Sequence, residues 1–466
     1  MAIPPNPIST EPVTISARLD RLPPTPYLLG LIARIAVGGW FEFFDLFMTA
    51  YISLGLIKAG IFTATTTGLF DWTGFASFIA SGFSGMFIGT LVLSGVSDRY
   101  GRKKTFVYSL FCYSIATLVM AFQKSPISLD LWRFIAGLGI GVQLITSDVY
   151  ISEISPKQSR GLYTSFSLLV SFCAVPAAAF AAYLLIPRTF LGLAGWRWLA
   201  MIGALGAPIY LLIGLQLPES PRWYEARGRK KEAEAAVAQM EAATEVSLGR
   251  PLPAPQAGDE QDRPTGRLRE IWRPGYRVRT IMLIVFNVFQ TIGFYGFASW
   301  VPLLLMQQGV SFLHSLEYTF AIAIANPLGP LISMKFADAW QRKWQIVNLA
   351  VASAIFGMIL ARMRNPALII LFGSLITVAN NWFSCAFHSY QVELYPTRIR
   401  ARAVGFVYGW SRFSAIFVGF LIAALLKDFG TVGVFALIAG SMAIVAVVIA
   451  IAGPKTSGVP LEVLSR

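Results

Sequence analysis

Apolar stretches of roughly 20 residues, each long enough to cross the ~30 Å hydrocarbon core of a bilayer, recur along almost the whole chain. Twelve can be counted, and no other feature restricts the fold as strongly. Read against their breakers, they fall near 28–54, 74–96, 105–124, 131–153, 163–187 and 196–217. After one long polar interruption they resume near 278–305, 315–337, 345–361, 367–391, 402–426 and 432–452. The expected fold is an all-α membrane protein of twelve transmembrane helices in two six-helix bundles. Charged residues make up 13% of the 466, where a soluble domain carries about 25%.

The net charge of +14 would raise the question of nucleic acid in a soluble protein, so the placement of the basic residues decides. With both termini on the cytoplasmic side, 29 of the 38 Lys and Arg fall in or beside cytoplasmic segments, seven flank the outer side, and Arg133 and Arg412 remain within spans. That is the positive-inside pattern, and it removes the need for a nucleic-acid partner. The stretch through Pro26 is polar and proline-rich, without the charged start and apolar core of a cleaved signal. Cys112, Cys173 and Cys385 sit in separate apolar segments with no disulfide or zinc spacing. No Asn-x-Ser/Thr acceptor occurs, which favours a bacterial inner membrane. Two histidines, three scattered cysteines and no phosphate-cradling glycine loop do not make an enzyme's site, and neither a metal nor a cofactor is expected.

The interruption divides the chain into 1–217, an N-terminal bundle, 218–277, a cytoplasmic linker, and 278–466, a C-terminal bundle. The linker opens with a helical pattern from Trp223 to Val246, and its middle, 247–266, is rich in Pro, Gly and charge. Across the divide the sequence repeats. GTLVLSGVSDRYGRKK from Gly89 aligns with GPLISMKFADAWQRKW from Gly329, pairing Asp98 with Asp338 and Arg102 with Arg342 at an offset of 240. At the same offset YISEISPKQSR from Tyr150 matches YQVELYPTRIR from Tyr390, pairing Glu153 with Glu393 and Arg160 with Arg400. Two loops sharing one offset indicate a duplicated six-helix unit.

These motifs, together with Arg133, Gly137, Gly139 and Gly141 in the fourth span and PESPRW at Pro218, resemble the major facilitator superfamily. Within it, the chain is similar to sugar-porter-like and metabolite:proton symporters and their organic-anion relatives. The resemblance implies a secondary active transporter that imports a small organic solute with protons by alternating access, with its site between parallel repeats near the midplane. It implies a small-molecule substrate and a monomer in the lipid bilayer. It assigns Asp98, Arg99, Arg102, Glu153, Arg160, Glu219, Arg222, Asp338, Arg342, Glu393 and Arg400 to a cytoplasmic gate of salt bridges. Such pairs are individually worth roughly 0 to 1 kcal/mol, so a gate of this kind acts jointly. Sugar porters carry glutamines in the fifth helix where this chain has Leu168 and Val175, and the seventh-helix pair is reduced to Gln290, with Tyr295 in place of an asparagine. A carboxylate or aromatic acid is therefore expected ahead of a sugar or polyol; a drug or metabolite exporter and a ligand sensor of the same fold are the other readings.

An ionisable residue inside a membrane helix costs about 2.5 to 3.5 kcal/mol on insertion scales, so each needs a partner or a function. Glu42 and Asp45 stand three apart in WFEFFDLF, on one helical face. Asp45 falls where the resemblance puts the proton-binding carboxylate, and Arg133 where it puts that group's partner. Burial raises a carboxyl's proton affinity and an adjacent guanidinium lowers it, so separating such a pair switches protonation; a permanent structural ion pair is the plainer alternative. Equal depth for the two requires the first helix to start near Tyr27. Arg412, between Trp410 and Phe413 and near Tyr408, is a bidentate fork for a carboxylate, unless it pairs with Asp148 or Glu42 or faces lipid. Gln143, Gln290, Tyr295, Asn380, Asn381 and Trp382 complete the expected cavity lining, although amides also join membrane helices and aromatics also pack. Asp148 and His388, equivalent under the offset, are expected near the cytoplasmic ends as hydrogen-bonded gate residues or as proton carriers.

Overall fold

The computed structural model describes residues 14–64, 73–92, 94–156, 158–209, 217–255, 268–336 and 340–456. Thr25 caps the first span by accepting from the Leu28 amide, and Pro26 supplies the pre-set φ of a first helical residue. The helix runs Pro26–Lys58, so Asp45 is some 28 Å along it at 1.5 Å per residue, deep enough to meet Arg133. The other spans of the first half are Phe75–Val92, Arg102–Met120, Pro126–Ile154, Arg160–Phe172 continued by Ala174–Leu185, and a sixth that begins at Gly195–Ala204. A two-residue hairpin, Thr189–Phe190 with Leu193–Ala194, joins the fifth to the sixth.

The second half repeats this order with more breaks. Its seventh span is Pro274–Ala298 extended by Val301–Gln307, and its eighth is Phe312–Ala323 with Leu328–Phe336, interrupted where Pro327 cannot continue a helix. Arg342–Leu360 and Pro366–Glu393 follow, and the run Thr397–Ala452 divides into the eleventh and twelfth spans at Gly430, whose φ of 63° is left-handed. Among the described residues, seven helices, counting the fifth span and that last run once each, are long and apolar enough to cross a bilayer.

The duplication is visible in three dimensions. The third and ninth helices start and end 240 residues apart, and Ser125 before Pro126 matches Asn365 before Pro366 as helix caps. A side chain at Gly89 would strike the Leu138 carbonyl, and one at Gly329 would strike Asn381 and the Val378 carbonyl, so the same backbone crossing occurs in each half. Tyr150 donates to the Pro218 carbonyl and Tyr390 to that of Pro454 (2.9 Å), so each half anchors the end of its last span in one way. The halves meet along the second and eleventh spans and along the fifth and eighth, contacts that are equivalent under the repeat.

The linker begins as two helices, Pro221–Ala226 and Lys230–Leu248, separated at Gly228, so the expected single helical stretch is broken where φ turns positive. Ala233, Val237 and Met240 are fully buried. The short helix Ile15–Asp20 packs against them through Glu241, which pairs with Arg18 (2.5 Å) and Arg21 (2.7 Å). Burial raises the Glu241 carboxyl, but the hydrogen bonds and charges of the two arginines together outweigh it and hold it below the usual carboxylate range.

Candidate functional site

The first span carries polar groups to two neighbouring regions. Asp45 turns toward the third and fourth helices, where its Oδ2 meets Arg133 Nη1 at 2.6 Å and its Oδ1 accepts from Thr117 Oγ1 at 2.8 Å. All three residues are buried, and Arg133 also lies over the Phe78 ring. Gly82 makes room for it, since a Cβ there would stand 3.0 Å from Arg133 Nε. Glu42, one turn earlier, instead lines a cavity of about 150 Å³ between the halves. The shared face read from their spacing therefore splits: three residues on a helix differ by about 60° in direction, enough to separate a bundle-facing from a cavity-facing position.

Arg412 is buried in the cavity wall, 2% exposed, with Nη1 donating to Tyr295 Oη (2.6 Å) and Nη2 to Tyr408 Oη (3.1 Å). Among the described residues no carboxylate lies within ion-pair distance of it, and neither the pairing with Asp148 or Glu42 nor a lipid-facing position is what the side chain adopts. Asp148 and His388 line the same cavity, Asp148 open to it and His388 donating from Nδ1 to the Ser384 carbonyl at 2.7 Å. Rings of Phe43, Phe47, Phe172, Phe294 and Phe387 supply most of the apolar wall, and Leu168, at one of the two sugar-type glutamine positions, faces the void. Gln290 sits beside Arg412, its amide donating to Thr291 Oγ1 (3.1 Å) and Ser411 Oγ (3.2 Å).

Other expected lining residues are not on this wall. Gln143 is buried beside Gly38 with no hydrogen bond to its amide. Asn380 accepts from Ser353 (2.9 Å) and Asn381 donates to Asn326 (2.9 Å), joining helices of the second half around a smaller void. Trp382 donates to Gln345 (3.1 Å), and Trp410 packs edge-on against Phe413. The helix-joining roles of Asn380 and Asn381 follow from position, because each amide on the bundle-facing side finds a partner within its own half. Asp148 and His388 stand six and five residues before the ends of their helices, as expected, and also line the cavity; their equivalence at offset 240 was the signal that they face one void.

The loop charges at the linker end pair within each half. Arg102 meets Glu153 at 2.8 Å and Asp98 at 2.6 Å, and Arg342 meets Glu393 at 2.7 Å. Glu219 caps the third span, accepting from the Arg102 and Lys103 amides (2.8 and 3.1 Å) across Gly101, whose φ is 105°. Arg222 pairs with Asp20 (3.2 Å), Arg99 lies over Tyr100, and Arg400 donates to the Tyr395 carbonyl (3.1 Å); Arg160 starts the fifth helix. Asp338 lies outside the described residues. At the opposite end, Phe75 meets Trp300, Phe180 meets Phe320, and Lys58 lies over Phe312, joining the halves beyond the cavity.

Two duplicated helix bundles that close on a central, largely apolar cavity with a few charged groups in its wall define a membrane transporter rather than an enzyme. The chain belongs to the family described as sugar (and other) transporters, whose model matches residues 31–466. A Bacillus subtilis (strain 168) protein described as a metabolite transporter, YyaJ, is 32% identical over 96% of this chain and 97% of its own length. The niacin transporter NiaP of Acinetobacter baylyi (strain ATCC 33305 / BD413 / ADP1) is 28% identical over 96% and 98%. The partially occluded inward-open structure of the xylose transporter XylE from E. coli superposes with a TM-score of 0.73 at 17% identity, over 93% of this chain and 99% of that one, and so shares the fold.

Proposed function

We propose that the chain imports a small organic carboxylate, of the size of one aromatic ring, together with protons, as a monomer in a bacterial inner membrane with its linker on the cytoplasmic side. The observation that carries this reading is Arg412: a buried guanidinium in the cavity wall, held by two tyrosine hydroxyls and, among the described residues, in direct ion pair with no carboxylate, although Glu42 and Asp148 line the same cavity. A substrate carboxylate would take the bidentate position, and the phenylalanine rings would cover its body. A cavity of about 150 Å³ is the size that accommodates a benzene ring in a protein interior. The similarity to a transporter of niacin, a ring carboxylate, points the same way.

Coupling follows from the first span. Its Glu42 carboxyl borders the substrate space with one oxygen lacking any hydrogen bond, so an entering anion is opposed unless Glu42 carries a proton. One turn on, Asp45 pairs with Arg133 and so ties the first span to the fourth. A proton on Asp45 weakens that pair and loosens the helix from its own bundle while substrate engages its adjacent face. The basic bias of the linker side supports its cytoplasmic placement. A neutral polyol is the second reading, favoured by the Gln290, Thr291 and Ser411 group, but it leaves Arg412 without a directly paired carboxylate.

Arg412→Ala and Arg412→Lys test the reading by calorimetric titration with nicotinate and benzoate. Both should lose affinity about 30-fold or more, since truncating a buried charged pair costs 2 to 5 kcal/mol and a point charge cannot replace the fork. Wild-type affinity in Arg412→Ala, or tight binding of an uncharged hexose by the native protein, contradicts the carboxylate assignment.

A further inference from the structure

Asp130 lies on the fourth span, one turn before Arg133 and therefore nearer the end remote from the linker. It is 5% exposed, and among the described residues no cation pairs with it. Ser77 of the second span stands beside it as a neutral donor, and that hydroxyl also donates to the Gly74 carbonyl at 2.9 Å. Burying a carboxylate without a countercharge is expensive, and packing alone gives no reason to keep it. Its neighbour has the complementary deficit. Arg133 Nε is buried without an acceptor, and Nη2 reaches only the Asp45 carbonyl oxygen at 3.5 Å. Residues three apart on a helix bring their Cβ atoms within about 5 to 6 Å, well inside the reach of a guanidinium.

We infer that Asp130 is a second partner for Arg133, to which the guanidinium passes when Asp45 takes up a proton. The inference rests on Asp45 being the coupling carboxyl. Once Asp45 is neutral, Arg133 without another partner is a buried uncompensated cation, which the low-dielectric interior opposes. Passing to Asp130 keeps one ion pair intact in both protonation states, so the proton is loaded without a stranded charge. No bond is made or broken except the O–H on Asp45. Among the described residues, Glu42 of the first span and Tyr113 of the third are the ionisable groups that act on Asp45, while Arg197 of the sixth is engaged with the Ala121 carbonyl at the end of the third. The described part of the second span contributes Ser77 and the Phe78 ring and no ionisable side chain.

The test is an infrared titration of the purified full-length protein, following the protonated-carboxyl band against pH, with no substrate needed. Asp45→Asn identifies the component of that band due to Asp45. In Asp130→Asn, a near-isosteric change that keeps an acceptor for Ser77, Arg133 stays with Asp45 and the midpoint of the Asp45 component should fall by about one pH unit or more. Asp130→Glu should restore it, and in an Arg133→Gln background Asp130→Asn should produce no shift. An unchanged midpoint in Asp130→Asn, or the same shift without Arg133, overturns the relay while leaving Asp45 as the coupling group. A band that Asp45→Asn does not alter overturns the coupling reading and the relay with it.

Discussion

Thr117 is an inconspicuous member of the Asp45 site, yet its hydroxyl is the donor that satisfies the carboxylate oxygen Arg133 does not reach. Thr117→Val removes that donor while keeping the side chain's shape, and the accumulation ratio in proteoliposomes is expected to fall severalfold while counterflow exchange persists. A variant that accumulates substrate like wild type would show the hydroxyl to be incidental. Asp45 and Arg133 were legible because charges inside apolar spans are few and a resemblance assigned them roles. Thr117 was not, because a threonine in a membrane helix ordinarily bonds its own backbone, as Thr146 does to the Val142 carbonyl. Which amides reach the cavity was equally hidden: Gln290 and Gln143 look alike in sequence, and only the rotation of each helix separates them.

Spanning elements were legible in number and order because bilayer thickness dictates their length, whereas their interruptions were not. The break at Pro327 and the step between Ala298 and Val301 fall inside runs that hydropathy reads as continuous. Close packing explains the glycines of the fourth span: a Cβ at Gly137 would strike the Gly82 carbonyl, and one at Gly141 that of Met86. Gly137→Leu should therefore destabilise by about 3 kcal/mol or more through overpacking, read as a lowered melting temperature and loss of monodisperse protein. Outside the membrane, the Glu241 clamp has a defined pH behaviour. Because its carboxyl is held below the ordinary value of 4.5, its contribution is fully present above that value and is lost as pH falls through the depressed one. Glu241→Gln should lower stability by about 1 to 3 kcal/mol at pH 7, with the deficit shrinking at pH 4. An equal deficit at both values would contradict an ionic clamp.

The two halves share caps, crossings and loop ion pairs at one offset, and that much was visible in the repeat before any coordinates. How the halves meet was not, since their contacts lie between segments far apart in sequence with no motif of their own, such as Phe83 on Tyr295 and Phe87 on Phe413. These aromatic contacts bring Tyr295 and Arg412 to a cavity whose other wall is the first span, so in the proposed mechanism substrate and proton act on adjacent faces of one helix. Uptake of radiolabelled nicotinate into proteoliposomes, with the exterior acidic, tests that arrangement most directly. Accumulation above equilibrium that a protonophore abolishes, and that Asp45→Asn lacks while still exchanging nicotinate in counterflow, is the predicted result. Accumulation indifferent to the proton gradient, or uphill uptake intact in Asp45→Asn, would contradict it.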